Sequence, residues 1–105
     1  MHHFEQARRI LERGVSPAHL ARLIAEQADA MSLLGMPREA LAEYRRALTE
    51  LDQQGLALEA ARARSGLGMT LLRLGRLQDA AGALTDAAAA FDELGHATAR
   101  ARVDL

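Results

Sequence analysis

The sequence predicts an all-α protein of antiparallel helix-turn-helix repeats, and three observations predict it. The 105 residues include 23 Ala and 18 Leu against two Ile, two Val and three aromatics, Phe4, Tyr44 and Phe91. Ala, Leu, Arg, Glu and Gln favour helix, whereas the β-branched and aromatic residues that line sheets are scarce. Apolar residues recur at three- and four-residue spacing between glycine and proline stops. The chain also matches itself at a shift of 40 residues.

That self-match runs the length of the chain. It pairs Ala21-Arg22 with Ala61-Arg62, Leu34-Gly35 with Leu74-Gly75, and Ala40 with Ala80. It also pairs Ala47 with Ala87, Asp52 with Asp92, and Gly55 with Gly95. Toward the ends, Phe4, Ala7 and Leu11 fall on Tyr44, Ala47 and Leu51, while Ala101-Arg102 falls on Ala61-Arg62. Chance matches of Ala are expected in an Ala-rich chain; matches of Gly, Arg and aromatic residues in one register are not.

The elements follow in order. Residues 3–13 read as an unpaired second helix with Phe4, Ala7 and Leu11 on one stripe. Ser16-Pro17 is an N-cap followed by proline at the first helical position, opening a helix at 17–34. Leu20, Leu23, Ile24, Ala28, Met31 and Leu34 form its stripe. Gly35 ends that helix and Pro37 opens the next, over 37–54, with Ala40, Leu41, Tyr44, Ala47, Leu48 and Leu51 inward. The second unit repeats this plan over 57–74 and 77–94, with stops at Gly75 and Gly95, and 97–105 begins a further helix. Two-residue connections make neighbours antiparallel. One domain therefore covers 1–105, with repeats at 17–54 and 57–94.

These residues resemble the tetratricopeptide repeat family, whose signature runs Trp-x2-Leu-Gly-x2-Tyr, then Ala-x3-Phe, then Pro. The second unit reads Arg64-x2-Leu67-Gly68-x2-Leu71, then Ala80-x3-Leu84 and Ala87; the first reads Ile24-x2-Gln27-Ala28-x2-Met31, then Ala40-x3-Tyr44 and Ala47. Small residues at 28/68, 40/80 and 47/87 stand where facing helices must approach closely. The period is 40 rather than the family's 34, and the closing proline is missing. The long form is similar to repeats found on bacterial signalling ATPases, transcriptional activators and caspase-like proteins. The resemblance implies a right-handed α-solenoid of about two and a half repeats, acting as a non-enzymatic scaffold for protein-protein interaction.

It further implies that the first helix of each pair lines a concave groove for an extended peptide or partner helix. By position, that groove holds Arg22, Asp29, Leu33, Arg62, Met69, Leu72, Arg73 and Arg102. Arg22, Arg62 and Arg102 stand one period apart, so stacking sets them in a row able to grip carboxylates, or leaves them as three solvated surface arginines. The clamp of Lys and Asn with which chaperone-binding members hold a C-terminal carboxylate is absent: the positions carry Ala25, Asp29 and Gly66, and the chain has neither Lys nor Asn. Neither end has the polar outer face of a capping repeat. Phe4, Leu11, Leu84 and Phe91 are therefore expected to associate with another copy or to pack on more of a longer solenoid, and the alternatives to the groove are a homo-oligomerising module or the sensor arm of a larger bacterial signalling protein.

Composition narrows the classes. The 13 basic residues, all Arg, against 14 acidic ones leave a net charge of −1, with no electrostatic reason to bind nucleic acid. The absence of Cys removes disulfides and thiolate zinc sites. The N-terminus is not a secretory signal and no apolar run is long enough to span a membrane, so the expected location is the cytoplasm. No catalytic, cofactor or metal site is expected. Gly66-Leu67-Gly68 lacks the third glycine of a dinucleotide loop. Ser16, Ser32 and Ser65 have no His and carboxylate nearby in sequence, His19 and His96 read as helix-start surface residues, and Tyr44 reads as a core filler.

Overall fold

The computed structural model of the chain describes residues 16–103, with side chains through Thr98. Among them are four helices and no strand: α1 (Pro17–Leu33), α2 (Pro37–Gln53), α3 (Ala57–Arg73) and α4 (Leu77–Val103). Each helix packs against the next; α1 also touches α3, while α2 and α4 stay apart among the described residues. The result is a slab of 47 × 39 × 19 Å.

The helix boundaries have local causes. The Ser16 side chain accepts a hydrogen bond from the His19 backbone N–H at 3.1 Å, satisfying a first-turn donor of α1, and Pro17 and Pro37 occupy first-turn positions where no donor is needed. Three helix ends share one device. Gly35, Gly55 and Gly75 have φ of 75°, 68° and 77°, the left-handed region that costs a side-chain-bearing residue most. The N–H after each glycine reaches back five residues (Met36 to Met31, Leu56 to Leu51, Arg76 to Leu71, 2.9–3.0 Å), closing the C-terminal carbonyls in a Schellman motif.

Gly95 departs from the expected pattern. α4 runs through it to Val103 as one helix of 27 residues, so there is no stop at Gly95 and no separate helix beginning at 97. A glycine inside a helix costs only about 1 kcal/mol relative to alanine. A reversal becomes favourable when the returning chain gains packing, as it does after Gly35, Gly55 and Gly75, where the following helices bury Ala40, Ala60 and Ala80. The predicted helix at 3–13 lies outside the described residues.

The core confirms the small-residue reading. Ala28, Gly68, Ala40, Ala80, Ala47 and Ala87 are all buried at helix contacts. Around them pack Ile24, Leu41, Tyr44, Leu51 and Leu71. Leu34, expected in the first stripe, is 75% exposed, because α1 ends one residue earlier and its C-cap turns outward.

Candidate functional site

The site expected from sequence is the face shared by α1 and α3. Arg22, Asp29 and Leu33 stand seven and four residues apart on α1, and Arg62, Met69 and Arg73 repeat that spacing on α3. Residues so spaced share a helix face. Since α1 and α3 are in contact, the two rows lie on neighbouring helices.

Several of these groups are already engaged within the chain. Arg22 Nε lies 3.7 Å from Glu59 Oε1 across the α1–α3 contact. Arg73 donates to the Ser32 carbonyl at 3.0 Å and to Ser32 Oγ at 2.9 Å, tying the end of α3 to the end of α1. Asp29 accepts a hydrogen bond from the Tyr44 hydroxyl, tying α1 to α2. The row of arginines is thus uneven: Arg22 and Arg73 are partnered, Arg62 is exposed and makes no ion pair among the described side chains, and the Arg102 side chain lies outside those described. Exposed apolar groups lie on the same two helices, with Leu33 86% exposed and Met69 and Leu72 nearly half exposed.

Tyr44 carries more than core volume. Its ring is buried and covers Gly66 so closely that a Cβ there would stand 2.6 Å from the ring, while its hydroxyl reaches Asp29. The neighbouring Thr70 is fully buried and satisfies its hydroxyl by donating to the Gly66 carbonyl at 2.8 Å. Burial pushes the Tyr44 phenol above the ordinary tyrosine range; the hydrogen bond to Asp29 and the charge of Asp29 act the same way, and Arg73 opposes them. A raised folded-state value means the neutral phenol is favoured by folding. Its stabilisation is complete below the unfolded value of about 10 and is lost as pH rises through the folded value. Stability should therefore fall above about pH 10, and Tyr44→Phe should remove the tyrosine part of that fall. Denaturant titrations of both proteins across alkaline pH check this, with phenolate absorbance reporting on the chain's single tyrosine.

The self-association residues divide. Leu84 is half-buried and packs on α3, where a Cβ added to Gly68 would lie 2.6 Å from Leu84 Cγ. Its position matches that of Tyr44 in the preceding unit, and both fill a gap above a glycine of α3. Phe91 remains 39% exposed, with Ala88 exposed one turn before it, because among the described residues no helix covers α4 as α3 covers Leu41, Tyr44 and Leu51 of α2. Phe4 and Leu11 lie outside the described residues.

A cleft of about 410 Å³ between α2 and α4, floored by Leu67 and Leu71 of α3, involves none of the expected groove residues. Arg45, Arg64 and Arg76 line it, but Arg64 pairs with Asp52 at 2.9 Å and Arg76 with Asp79 at 2.8 Å, so most of its positive charge is compensated. Sequence periodicity did not point to it, because it exists only where two non-consecutive helices diverge over a third. Among the described residues no group of three or more His, Asp or Glu could hold a metal, and no helix is long and apolar enough to cross a membrane. Comparison with protein-family models, with curated proteins and with solved structures returns no match to this chain.

Proposed function

We propose that the chain is a tetratricopeptide-like, right-handed solenoid segment that works as a protein-interaction module, presenting the α1–α3 face to an extended, acidic and partly apolar peptide or partner segment. One observation carries the reading: an exposed arginine, Arg62, stands on the same helix face as exposed Met69, and Leu72 and Leu33 are exposed near the C-terminal ends of α3 and α1. Arginine grips carboxylates through paired hydrogen bonds, and apolar side chains left in water gain free energy when covered. The links from Tyr44 to Asp29 and from Arg73 to Ser32 support a pre-formed face, which reduces the ordering cost of binding.

The test is selection from a displayed peptide library followed by titration of the enriched sequences. Acidic peptides with Leu or Met spacing should emerge, and their binding should weaken with added salt. Arg62→Glu should weaken them at least about tenfold, since it replaces an attraction with a repulsion. Equal affinity in that variant, with the fold intact by circular dichroism, refutes the assignment.

A further inference from the structure

We propose that the part of α4 extending past the body pairs antiparallel with the same segment of a second copy of this chain, giving a two-fold dimer. The inference does not depend on the groove reading, since it concerns the opposite end of the helical order.

α4 has 27 residues, whereas α1, α2 and α3 have 17 each. At about 1.5 Å per residue the excess carries α4 roughly 15 Å beyond the start of α3. Without tertiary packing, helices shorter than about 12 residues are marginal in water, and this one contains Gly95. A straight continuation here gains most if something covers it.

The sequence supplies a face for that cover. Ala80, Leu84, Ala87, Phe91, Leu94, Thr98 and Ala101 alternate four and three residues apart, the spacing of a coiled-coil seam, with no interruption at Gly95. The first part of this seam is occupied: Ala80 and Ala87 are buried and Leu84 packs on Gly68. Farther along, Phe91 and Thr98 are exposed and Leu94 is half-buried. Ala90 and Ala97 flank the seam on one side and Ala88 and Gly95 on the other, so another helix can approach closely.

Charge identifies the occupant. Before Gly95 the ionisable residues of α4 are Asp79, Asp86, Asp92 and Glu93; after it they are His96, Arg100 and Arg102. This polarity suits the helix's own dipole, and it also makes the helix complementary to itself in one orientation. Arg102 stands next to the seam, Asp92, Glu93 and Arg100 stand farther out, and Asp92 lies 3.9 Å from His96 of its own helix. Antiparallel copies therefore set the basic end of each alongside the acidic stretch of the other, whereas parallel copies would align like charges. An isologous contact of this kind closes at two chains and leaves no open end to propagate.

Light scattering behind size exclusion, across a dilution series reaching near-millimolar protein, tests this on the whole chain. The mass should rise from 11.4 kDa toward twice that value with concentration, and fall with added salt. Leu94→Glu should raise the concentration at the midpoint at least about tenfold, and the paired change Arg100→Glu with Arg102→Glu should do so too. Gly95→Ala should lower it about fivefold by favouring the continuous helix, because a Cβ there meets nothing within 4 Å. A single-chain mass at every concentration overturns the proposal, as does a dimer whose midpoint the paired arginine change leaves unmoved. Should Leu94→Glu fail to fold, the paired arginine change, which alters only charge near the helix end, decides the matter.

Discussion

Truncation of Tyr44 to alanine is expected to lower stability by about 3–5 kcal/mol, the range for removing a large buried aromatic side chain. The ring is 3% exposed and stands between α1, α2 and α3, so its loss opens a cavity at the junction of three helices. Gly66 beneath the ring has no side chain that could fill that space. Tyr44→Phe separates the two parts of the effect. It keeps the ring over Gly66 and removes only the hydrogen bond to the exposed carboxylate of Asp29, for a cost of about 1 kcal/mol. Urea denaturation of the three proteins is the measurement. With total stabilities of about 5–15 kcal/mol usual for a domain, the alanine variant approaches unfolding. If it costs no more than the phenylalanine variant, the ring is not what joins these helices.

Gly68→Val is expected to be comparably damaging for the opposite reason. A Cβ at position 68 would stand 2.6 Å from Leu84 Cγ, 2.7 Å from Leu84 Cδ2 and 3.3 Å from the Leu84 backbone nitrogen. A leucine side chain can change rotamer, but the backbone nitrogen moves only if α4 moves. Helix propensity favours valine over glycine by less than about 1 kcal/mol, so the sign of the result tells which term wins. Overpacking costs about 1–3 kcal/mol for added methylenes in a tight core, and valine adds two methyls beyond the Cβ. The expected net loss is about 2–3 kcal/mol, or roughly 10–20 °C in the thermal midpoint of a domain this size. A second variant, Gly68→Val with Leu84→Ala, should recover part of the loss by opening the space the valine needs. A stabilised single variant in thermal denaturation would mean that α3 and α4 are farther apart than this contact implies.

The two variants share a lesson about legibility. Ala40, Ala47, Ala80 and Ala87 could be assigned to close helix contacts because their spacing repeats, and burial bears that out. Gly66 could not, because its counterpart one period earlier is Glu26 and repetition carries no information where the repeat breaks. The signal that could have found it is the coincidence of the one bulky Tyr44 with a mid-helix glycine on the next helix. Likewise Arg73 and Asp29 were legible as members of a helix face, but not as groups held by Ser32 and Tyr44. Those partners are 41 and 15 residues away in the chain and meet only through packing.

By itself the sequence determined what is local and periodic in this protein: helix rather than sheet, the starts at Ser16-Pro17 and Pro37, the left-handed glycines at 35, 55 and 75, and the small residues along the seams. Each depends on backbone preference or on spacing, which a string of residues contains in full. Tertiary structure decided the rest. Leu34-Gly35, Leu74-Gly75 and Leu51-Asp52-x-x-Gly55 reverse the chain, whereas the similar Phe91-Asp92-x-Leu94-Gly95 leaves α4 straight, because a reversal depends on the packing that the returning helix gains. Leu84 is half-buried and Phe91 exposed, although both lie on one stripe, because α3 reaches the first and ends near the second. A helix stripe says which residues seek cover; only the arrangement of neighbouring helices determines which of them receive it.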